Sequence, residues 1–174
     1  IAGLIKSDTG KIYLSTEELN TKSISQRTSL GLSYLPQESS IFRGLNVEQN
    51  ILAALEQRKD LTQEERKDQL NSLLEEFNLN EFAKTQGIKL SGGERRRTEI
   101  ARCLISNPKI LLLDEPFAGV DLLSIQDIKG LLLKLQAKGC AVLVTDHNAS
   151  QLLSVVDRAY VIANGAIVAN GTPR

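Results

Sequence analysis

The sequence predicts an α/β fold with a mostly parallel core sheet, flanking helices, an inserted helical subdomain and a C-terminal β-hairpin. Three patterns indicate this fold. Apolar runs at residues 110–113 and 141–144 flank a helical pattern, as in two buried parallel strands joined by a right-handed crossover. Residues 46–77 have helical spacing. The pair Asn164-Gly165 between two short apolar stretches is typical of a hairpin with a type I′ turn.

The front of the chain predicts short strands. Residues 11–14 are rich in β-forming residues and follow a turn signal at residues 8–10. Residues 32–35 form a second candidate strand, which Pro36 stops. We expect these strands to form an antiparallel or edge region.

The middle of the chain predicts two helices. Asn46 is a suitable N-cap for the first, and Thr62 with Glu65 forms a Thr-x-x-Glu capping box for the second. Apolar residues recur at intervals of three or four and predict one buried face on each helix: Val47, Ile51, Leu52 and Leu55, then Leu70, Leu73, Leu74 and Phe77. Residues 46–90 are therefore predicted to form a small helical subdomain.

The second half adds three helices and the hairpin. Ser91 and Glu94 form another capping box at a helix start, and the crossover helix is expected to stop at Gly139. Residues 151–156 predict a short helix. The expected buried residues and hairpin strands are Ile100, Ala101, Leu104 and Ile105, then Ile125, Ile128, Leu131, Leu132 and Leu135, then strands 160–163 and 166–169.

Composition limits the function. The chain has 174 residues, enough for one domain, with 21 basic and 21 acidic side chains and 4% aromatic residues. This balance argues against a nucleic-acid partner. No apolar stretch is long enough to span a bilayer, so we expect an intracellular protein whose membrane contact comes only through a partner. Cys103 and Cys140 suit neither a metal site nor a disulfide framework and are expected to be buried thiols.

Polar residues follow the two predicted parallel strands. Asp114-Glu115 come after one strand and Asp146-His147 after the next, where ligands of parallel sheets bind. Asp114 can hold Mg²⁺ through water, Glu115 can orient or deprotonate an attacking water, and His147 can contact a phosphoryl group. The competing interpretation is that both acids only cap the turn at Pro116.

The stretch Leu-Ser-Gly-Gly-Glu at residues 90–94 is a second candidate site. Two glycines at a helix start expose backbone N–H groups, and the hydroxyl of Ser91 adds a further donor. This arrangement suits a phosphate, although an ordinary capped helix explains it equally well. The following basic triplet, residues 95–97, is expected to be a solvated helix face, with Arg95 pairing Glu99.

These motifs together are more specific than each alone, and the chain resembles the ABC-type ATPase family over essentially its whole length. The resemblance is carried by the signature motif at residues 90–94, the Walker B strand at 110–114 with the catalytic glutamate Glu115, the D-loop at 118–121, the switch histidine His147 and the Q-loop at 34–37.

The resemblance implies ATP and Mg²⁺ as cofactors. It implies that Glu115 and His147 are catalytic and that Asp114 and Gln37 contact the metal. The residues implied in nucleotide binding are Gln37, Ser91, Gly92, Gly93, Glu94 and Asp121.

The resemblance also implies an assembly. Two copies are expected to pair head to tail around two ATP molecules, with the signature residues acting in trans and Asp121 near the interface. Transmembrane permease subunits would then place the chain at the cytoplasmic side of the inner membrane. Residues 41–45 are a candidate permease contact because Phe42 and Leu45 are apolar within a predicted loop, although both residues fit a core equally well.

One motif of the family does not occur in the sequence, namely the P-loop G-x-x-x-x-G-K-[ST]. Residues 1–5 resemble the end of the helix that follows it. We therefore expect residues 1–174 to be an ABC ATPase domain without its P-loop segment, with little ATPase activity of its own, and its parent protein to be active.

The transported molecule has two candidates. Residues 90–104, 113–121 and 145–148 resemble the family members that export lipopolysaccharide, and Glu94 fits that subgroup. The runner-up is the ATPase of a branched-chain amino acid importer. A non-catalytic binding module and a soluble ABC-type ATPase that acts on ribosomes or DNA are two further candidate functions.

Overall fold

A computed structural model describes residues 1–173 and confirms the predicted α/β fold. The strands are β1 (Tyr13–Leu14), β2 (Glu17–Glu18), β3 (Leu32–Leu35), β4 (Ile110–Asp114), β5 (Ala141–Thr145), β6 (Ala159–Ala163) and β7 (Ala166–Gly171). The α-helices are α1 (Ile24–Ser29), α2 (Val47–Leu55), α3 (Gln63–Glu76), α4 (Gly92–Leu104), α5 (Leu122–Ala137) and α6 (Ala149–Leu153), with short 3₁₀ helices at Asn80–Phe82 and Gly87–Lys89.

The central sheet has the order β3–β4–β5, and both pairings are parallel. The prediction of a parallel pair on either side of the crossover helix is therefore confirmed. Of the two alternatives expected for the strand at Leu32–Leu35, the edge position is confirmed in the described sheet, but the strand runs parallel to β4 and not antiparallel. The earlier stretch does form an antiparallel pair, β1 with β2. In the register of β4 and β5, Asp114 lies beside Thr145, so the carboxyl ends meet.

One hydrophobic core connects the helices to the sheet. Ile51 of α2, Ile100 of α4, Leu113 of β4 and Ile128 of α5 belong to the same buried cluster, which also contains Phe77 at the end of α3. The apolar faces predicted from helical spacing therefore pack inward. At roughly 25 cal/mol per Å² of buried apolar surface, this cluster is the main source of stability and fixes the strand ends relative to the helices.

Strand β5 differs from its prediction. Its apolar run predicts burial on both faces, but its residues alternate between half-buried Val142 and Val144 and exposed Leu143. Helix α5 packs against β5 on one face, and in the described part of the chain the other face is open to solvent. An apolar run alone does not show how many faces neighbours cover.

The helix boundaries follow local signals. Side chains of Asn46, Thr62 and Ser91 accept hydrogen bonds from the first turns of α2, α3 and α4, and all three complete a capping box. Gly139, after α5, has a φ of 88°, as expected for a residue that ends a helix. Helix α6 is shifted from the predicted 151–156 because Asn148 caps it two residues earlier than expected.

The C-terminal hairpin is confirmed. Asn164 and Gly165 connect β6 to β7 and have φ values of 51° and 76°, which is the requirement of a type I′ turn.

The first residues do not form the predicted helix end. Residues 1–5 are bends and irregular backbone, and Gly3 has a φ of 90°. A side chain at Gly3 would approach the Nε atom of Arg27 to 2.7 Å, and Arg27 holds the segment by donating to the carbonyl of Ile1. No helix within residues 1–173 has the length and apolar character needed to cross a bilayer.

Candidate functional site

The carboxyl ends of the three parallel strands bring three predicted site residues together at one carboxylate. The Nε2 atom of Gln37, just beyond β3, donates to Oε2 of Glu115 over 2.8 Å. The Nδ1 atom of His147, just beyond β5, lies 3.3 Å from the same oxygen. The His147 side chain is 73% exposed, so the carboxylate of Glu115 is reachable from solvent on that side. This Gln37–Glu115–His147 group, which holds the two residues predicted to be catalytic, is called the catalytic edge below.

The backbone of Glu115 has an unusual conformation. Its φ is 43°, in the left-handed region that non-glycine residues rarely adopt, and its N–H donates to the carbonyl of Thr145 over 2.8 Å. Such a conformation costs on the order of 1–3 kcal/mol and is typical of functional sites. Here it turns the chain at the end of β4, immediately after Asp114.

Asp114 is held by side chains of both neighbouring strands. Its Oδ1 accepts from the hydroxyl of Thr145 over 2.6 Å, and its Oδ2 accepts from the hydroxyl of Tyr34 over 3.3 Å. Burial raises the pKa of Tyr34, and the negative charge of Asp114 and this hydrogen bond raise it further. The sequence pattern alone predicts neither contact. The positions of Tyr34 and Thr145 beside Asp114 depend on the strand register, which the sequence did not reveal.

The oxygens at this edge suit a hard cation. Mg²⁺ prefers oxygen ligands and keeps several of its waters, so one carboxylate and one amide oxygen are a sufficient protein contribution. Asp114 supplies the carboxylate, and Gln37, whose amide nitrogen is turned to Glu115, has its amide oxygen available. Among residues 1–173 there is no cluster of three or more His, Cys, Asp or Glu side chains able to hold a metal.

The stretch at residues 90–94 forms a second group, at the start of α4. The hydroxyl oxygen of Ser91 accepts from the N–H of Glu94 over 3.3 Å, and the carboxylate of Glu94 accepts from the N–H of Ser91 over 2.9 Å. The capped-helix interpretation is thus confirmed, whereas phosphate binding by Ser91, Gly92, Gly93 and Glu94 stays a prediction.

The two glycines of this group allow α4 to pack closely on the segment before α5 and on the first turn of α5. A Cβ atom on Gly92 would lie 2.5 Å from the carbonyl oxygen of Gly119, and one on Gly93 would lie 2.1 Å from the hydroxyl oxygen of Ser124. Asp121 caps α5 by accepting from the N–H of Ser124 over 3.0 Å, and this backbone hydrogen bond lowers the pKa of Asp121. The signature and D-loop residues therefore form one packed unit.

The two groups stay separate within one chain. Among the described residues, no hydrogen bond joins Ser91, Glu94 or Asp121 to Gln37, Glu115 or His147. The structure thus gathers the predicted residues into two sites: one at the strand ends and one at the helix starts.

Comparison with known proteins identifies the family. The model of the ABC transporter family matches residues 1–118, which is more than half of the chain. The chain belongs to the ABC transporter family. It carries the ATPase domain of this family, which binds nucleotide.

Individual relatives from the ABC transporter family align with almost the whole chain. The lipopolysaccharide export system ATP-binding protein LptB of Haemophilus influenzae is 49% identical over 173 residues, which cover 99% of this chain and 72% of that protein. The protein of the same name from Escherichia coli K12 is 46% identical over the same shares.

Solved ABC structures have the same fold. A nucleotide-free ATP-binding cassette from an ABC transporter superposes with a TM-score of 0.87 at 27% identity. The superposition covers all of this chain and 74% of the cassette chain. A dimeric ATP-binding cassette in a post-hydrolysis state, bound to ADP and Pi, gives a TM-score of 0.86 at 26% identity, with 78% of that chain covered.

The prediction for the basic triplet of this ABC domain is wrong. Arg96 and Arg97 are buried, with 6% and 7% exposure, because α4 lies between the sheet and the other helices rather than on the surface. Glu99 pairs with Arg96 over 3.2 Å and not with Arg95. Arg97 pairs with Asp127 of α5 over 3.1 Å.

The candidate permease contact has one exposed aromatic side chain. Phe42 is 49% exposed, so the core interpretation is wrong for it, whereas Leu45 is half-buried. The guanidinium of Arg102 lies 4.6 Å from the centre of the Phe42 ring, which is a cation–π contact.

The two cysteines of the domain are free thiols and only half-buried. Burial raises the pKa of the Cys103 thiol to about 11.

Proposed function

We propose that this chain is the ATP-hydrolysing part of a transporter that exports lipopolysaccharide. The names of the LptB relatives support the substrate, at 46–49% identity over almost the whole chain. The observation that carries the catalytic role is the contact of the Glu115 carboxylate with both Gln37 and His147.

The proposed reaction is attack of a water molecule on the γ-phosphorus of ATP. Glu115 orients the water and takes its proton, while the bond between the γ-phosphorus and the bridging oxygen of ADP breaks. Gln37 holds the carboxylate in place through its hydrogen bond. His147 contacts the transferred phosphoryl group from the exposed side of the site.

Mg²⁺ would be held by Asp114, through water, and by the amide oxygen of Gln37. When bound, the metal neutralises charge that develops on the phosphate oxygens. Thr145 and Tyr34 hold the Asp114 carboxylate in one orientation through their hydrogen bonds.

A second copy of the chain would complete the site. Ser91, Gly92, Gly93 and Glu94 would bind the ATP held by the partner, which explains why they lie apart from the catalytic edge of their own chain. Asp121 would lie near the interface of this head-to-tail pair. The dimeric arrangement of the cassette bound to ADP and Pi supports such a pair.

Transmembrane permease subunits would connect this pair of ATPase domains to the membrane, with the chain at the cytoplasmic side of the inner membrane. The helical subdomain, residues 46–90, and the loop carrying Phe42 are the proposed docking region. Residues 1–174 would act within a parent protein that supplies a P-loop, since that motif does not occur in the sequence.

The test uses the parent protein reconstituted with a lipopolysaccharide-export permease. Glu115→Gln is expected to lower kcat by at least about 100-fold, in line with the loss of a general base, and to keep ATP binding. Glu17→Gln, which changes an exposed glutamate of β2, is the matched control. Release of lipopolysaccharide should stop with Glu115→Gln only.

Two results would contradict the proposal. Robust turnover of the Glu115→Gln variant would refute the catalytic assignment. ATPase stimulation by an amino acid permease, with none by the lipopolysaccharide permease, would instead favour the amino acid importer.

A further inference from the structure

A buried arginine connects the catalytic edge to helix α4. The Nη2 atom of Arg96 donates to the carbonyl of Asp114 over 2.8 Å, and its Nη1 atom donates to the carbonyl of Pro36 over 3.0 Å. These carbonyls belong to the residues directly before Glu115 and Gln37. One guanidinium thus fixes the backbone on both sides of the Gln37–Glu115 hydrogen bond.

Glu99, one turn later on α4, completes the arrangement. Its Oε2 accepts from Nη1 of Arg96 over 3.2 Å, and its Oε1 accepts from the hydroxyl of Ser39 over 2.8 Å and from the N–H of Ser40 over 2.9 Å. Glu99 is 2% exposed and Arg96 6% exposed. The pair therefore holds the chain before Gln37 through Arg96 and after it through Glu99.

The burial of this pair argues for a role beyond stability. Removing two charges from water costs several kcal/mol per ion, and buried ion pairs can often be replaced by apolar residues with no loss of stability. The hydrogen bonds of this pair go almost entirely to the backbone flanking Gln37 and to the end of β4. The planar guanidinium of arginine presents five N–H donors in fixed directions, so it can hold two separate carbonyls in a set geometry, whereas the ammonium of lysine is a compact charge on a flexible stem.

We propose that Arg96, oriented by Glu99, is a positioning residue for ATP hydrolysis: it holds Gln37 against Glu115. The proposal rests on the roles proposed above for these two residues. Arg96 also connects α4 directly to the catalytic edge, because it lies less than two turns after Ser91, the residue that caps this helix. A shift of α4 against the sheet would move both carbonyl contacts together.

The test is a double-mutant cycle in the parent protein, with kcat and KM for ATP and the thermal midpoint measured for each variant. Arg96→Met is expected to lower kcat roughly 10- to 100-fold, since misplacing a catalytic group by about 1 Å has effects of this size. KM should change by less than about 3-fold. In a Gln37→Ala background, Arg96→Met should lower kcat by less than about 3-fold further, because the contact it protects is already gone.

Arg97→Met is the matched control. Arg97 lies on the same helix, is as buried as Arg96 and also pairs with an acid, but its hydrogen bond goes to Asp127 of α5 and not to the catalytic edge. It should change the thermal midpoint without changing kcat. If Arg96→Met does not fold, Arg96→Lys serves in the same cycle, because it keeps the charge beside Glu99 and loses the rigid fork that spans the two carbonyls.

The outcomes separate the two proposals. If Gln37→Ala lowers kcat and the losses of the two variants multiply, Arg96 acts elsewhere and its positioning role is refuted. The same holds if Arg96→Met lowers kcat no more than Arg97→Met does. If Gln37→Ala itself leaves kcat unchanged, the role proposed for Gln37 fails, and the role of Arg96 fails with it.

Discussion

Gly93 offers a prediction in which two effects of known sign compete. Replacing a helical glycine by alanine raises helix propensity by up to about 1 kcal/mol. The new Cβ, however, would lie 2.1 Å from the Oγ and 2.4 Å from the Cβ of Ser124, whereas carbon atoms prefer about 3.5–4.0 Å. The helices must then separate by roughly 1 Å, and such overpacking costs about 1–3 kcal/mol.

Gly93→Ala should therefore destabilise the domain by about 1 kcal/mol, which is the middle of the overpacking cost less the gain in helix propensity. This corresponds to a loss of roughly 2–4 °C in the thermal midpoint of a chain of this size. The assay is thermal unfolding followed by circular dichroism.

The effect of Gly93→Ala on the thermal midpoint should change sign in a Ser124→Gly background. The next atom near a Cβ on Gly93 is Oδ2 of Asp121, at 3.7 Å, which is an ordinary contact. Adding Gly93→Ala to Ser124→Gly should then raise the thermal midpoint. Gly92→Ala should lower it in both backgrounds, because its contact is the backbone oxygen of Gly119. If Gly93→Ala stabilises the protein with Ser124 intact, the close packing of the signature segment on α5 is wrong.

Two other predictions concern a helix cap and a thiol. Asn46→Ala removes the oxygen that accepts from the N–H of Gln49 over 2.8 Å, so it should lower the free energy of unfolding in urea by about 1 kcal/mol. Asn46→Asp should keep the cap and the stability. Equal losses of stability in both variants would contradict this prediction. Because burial raises the pKa of Cys103 to about 11, its reactive thiolate should remain scarce at pH 8 and increase with every step toward pH 11. Iodoacetamide labelling followed by mass spectrometry should show slower reaction than for a free cysteine, and a rate that levels off below pH 9 would exclude the raised pKa.

Local signals explain what the sequence predicted well. The caps at Asn46, Thr62 and Ser91 involve partners three residues away, so the sequence contains the whole interaction. The type I′ turn likewise depends on its own two residues. The meeting of Glu115 and His147 followed from a general rule, since the carboxyl ends of adjacent parallel strands lie at one edge of a sheet.

Tertiary context explains the rest. The burial of Arg96 depends on where α4 packs, and its hydrogen-bond partners are 18 and 60 residues away in the sequence. The contact of Tyr34 with Asp114 spans 80 residues and depends on strand register. The open face of β5 depends on which elements cover the sheet. An apolar run or a basic triplet carries no information about such partners.

The left-handed backbone at Glu115 sets stability against activity at a single position. Asparagine and glycine adopt this conformation more readily than glutamate, so either residue would relax the chain there while removing the carboxylate that faces Gln37 and His147. A search for more stable sequences would therefore favour chains that lack the carboxylate proposed above as the general base. Directed evolution for thermostability must hold position 115 fixed to keep that carboxylate.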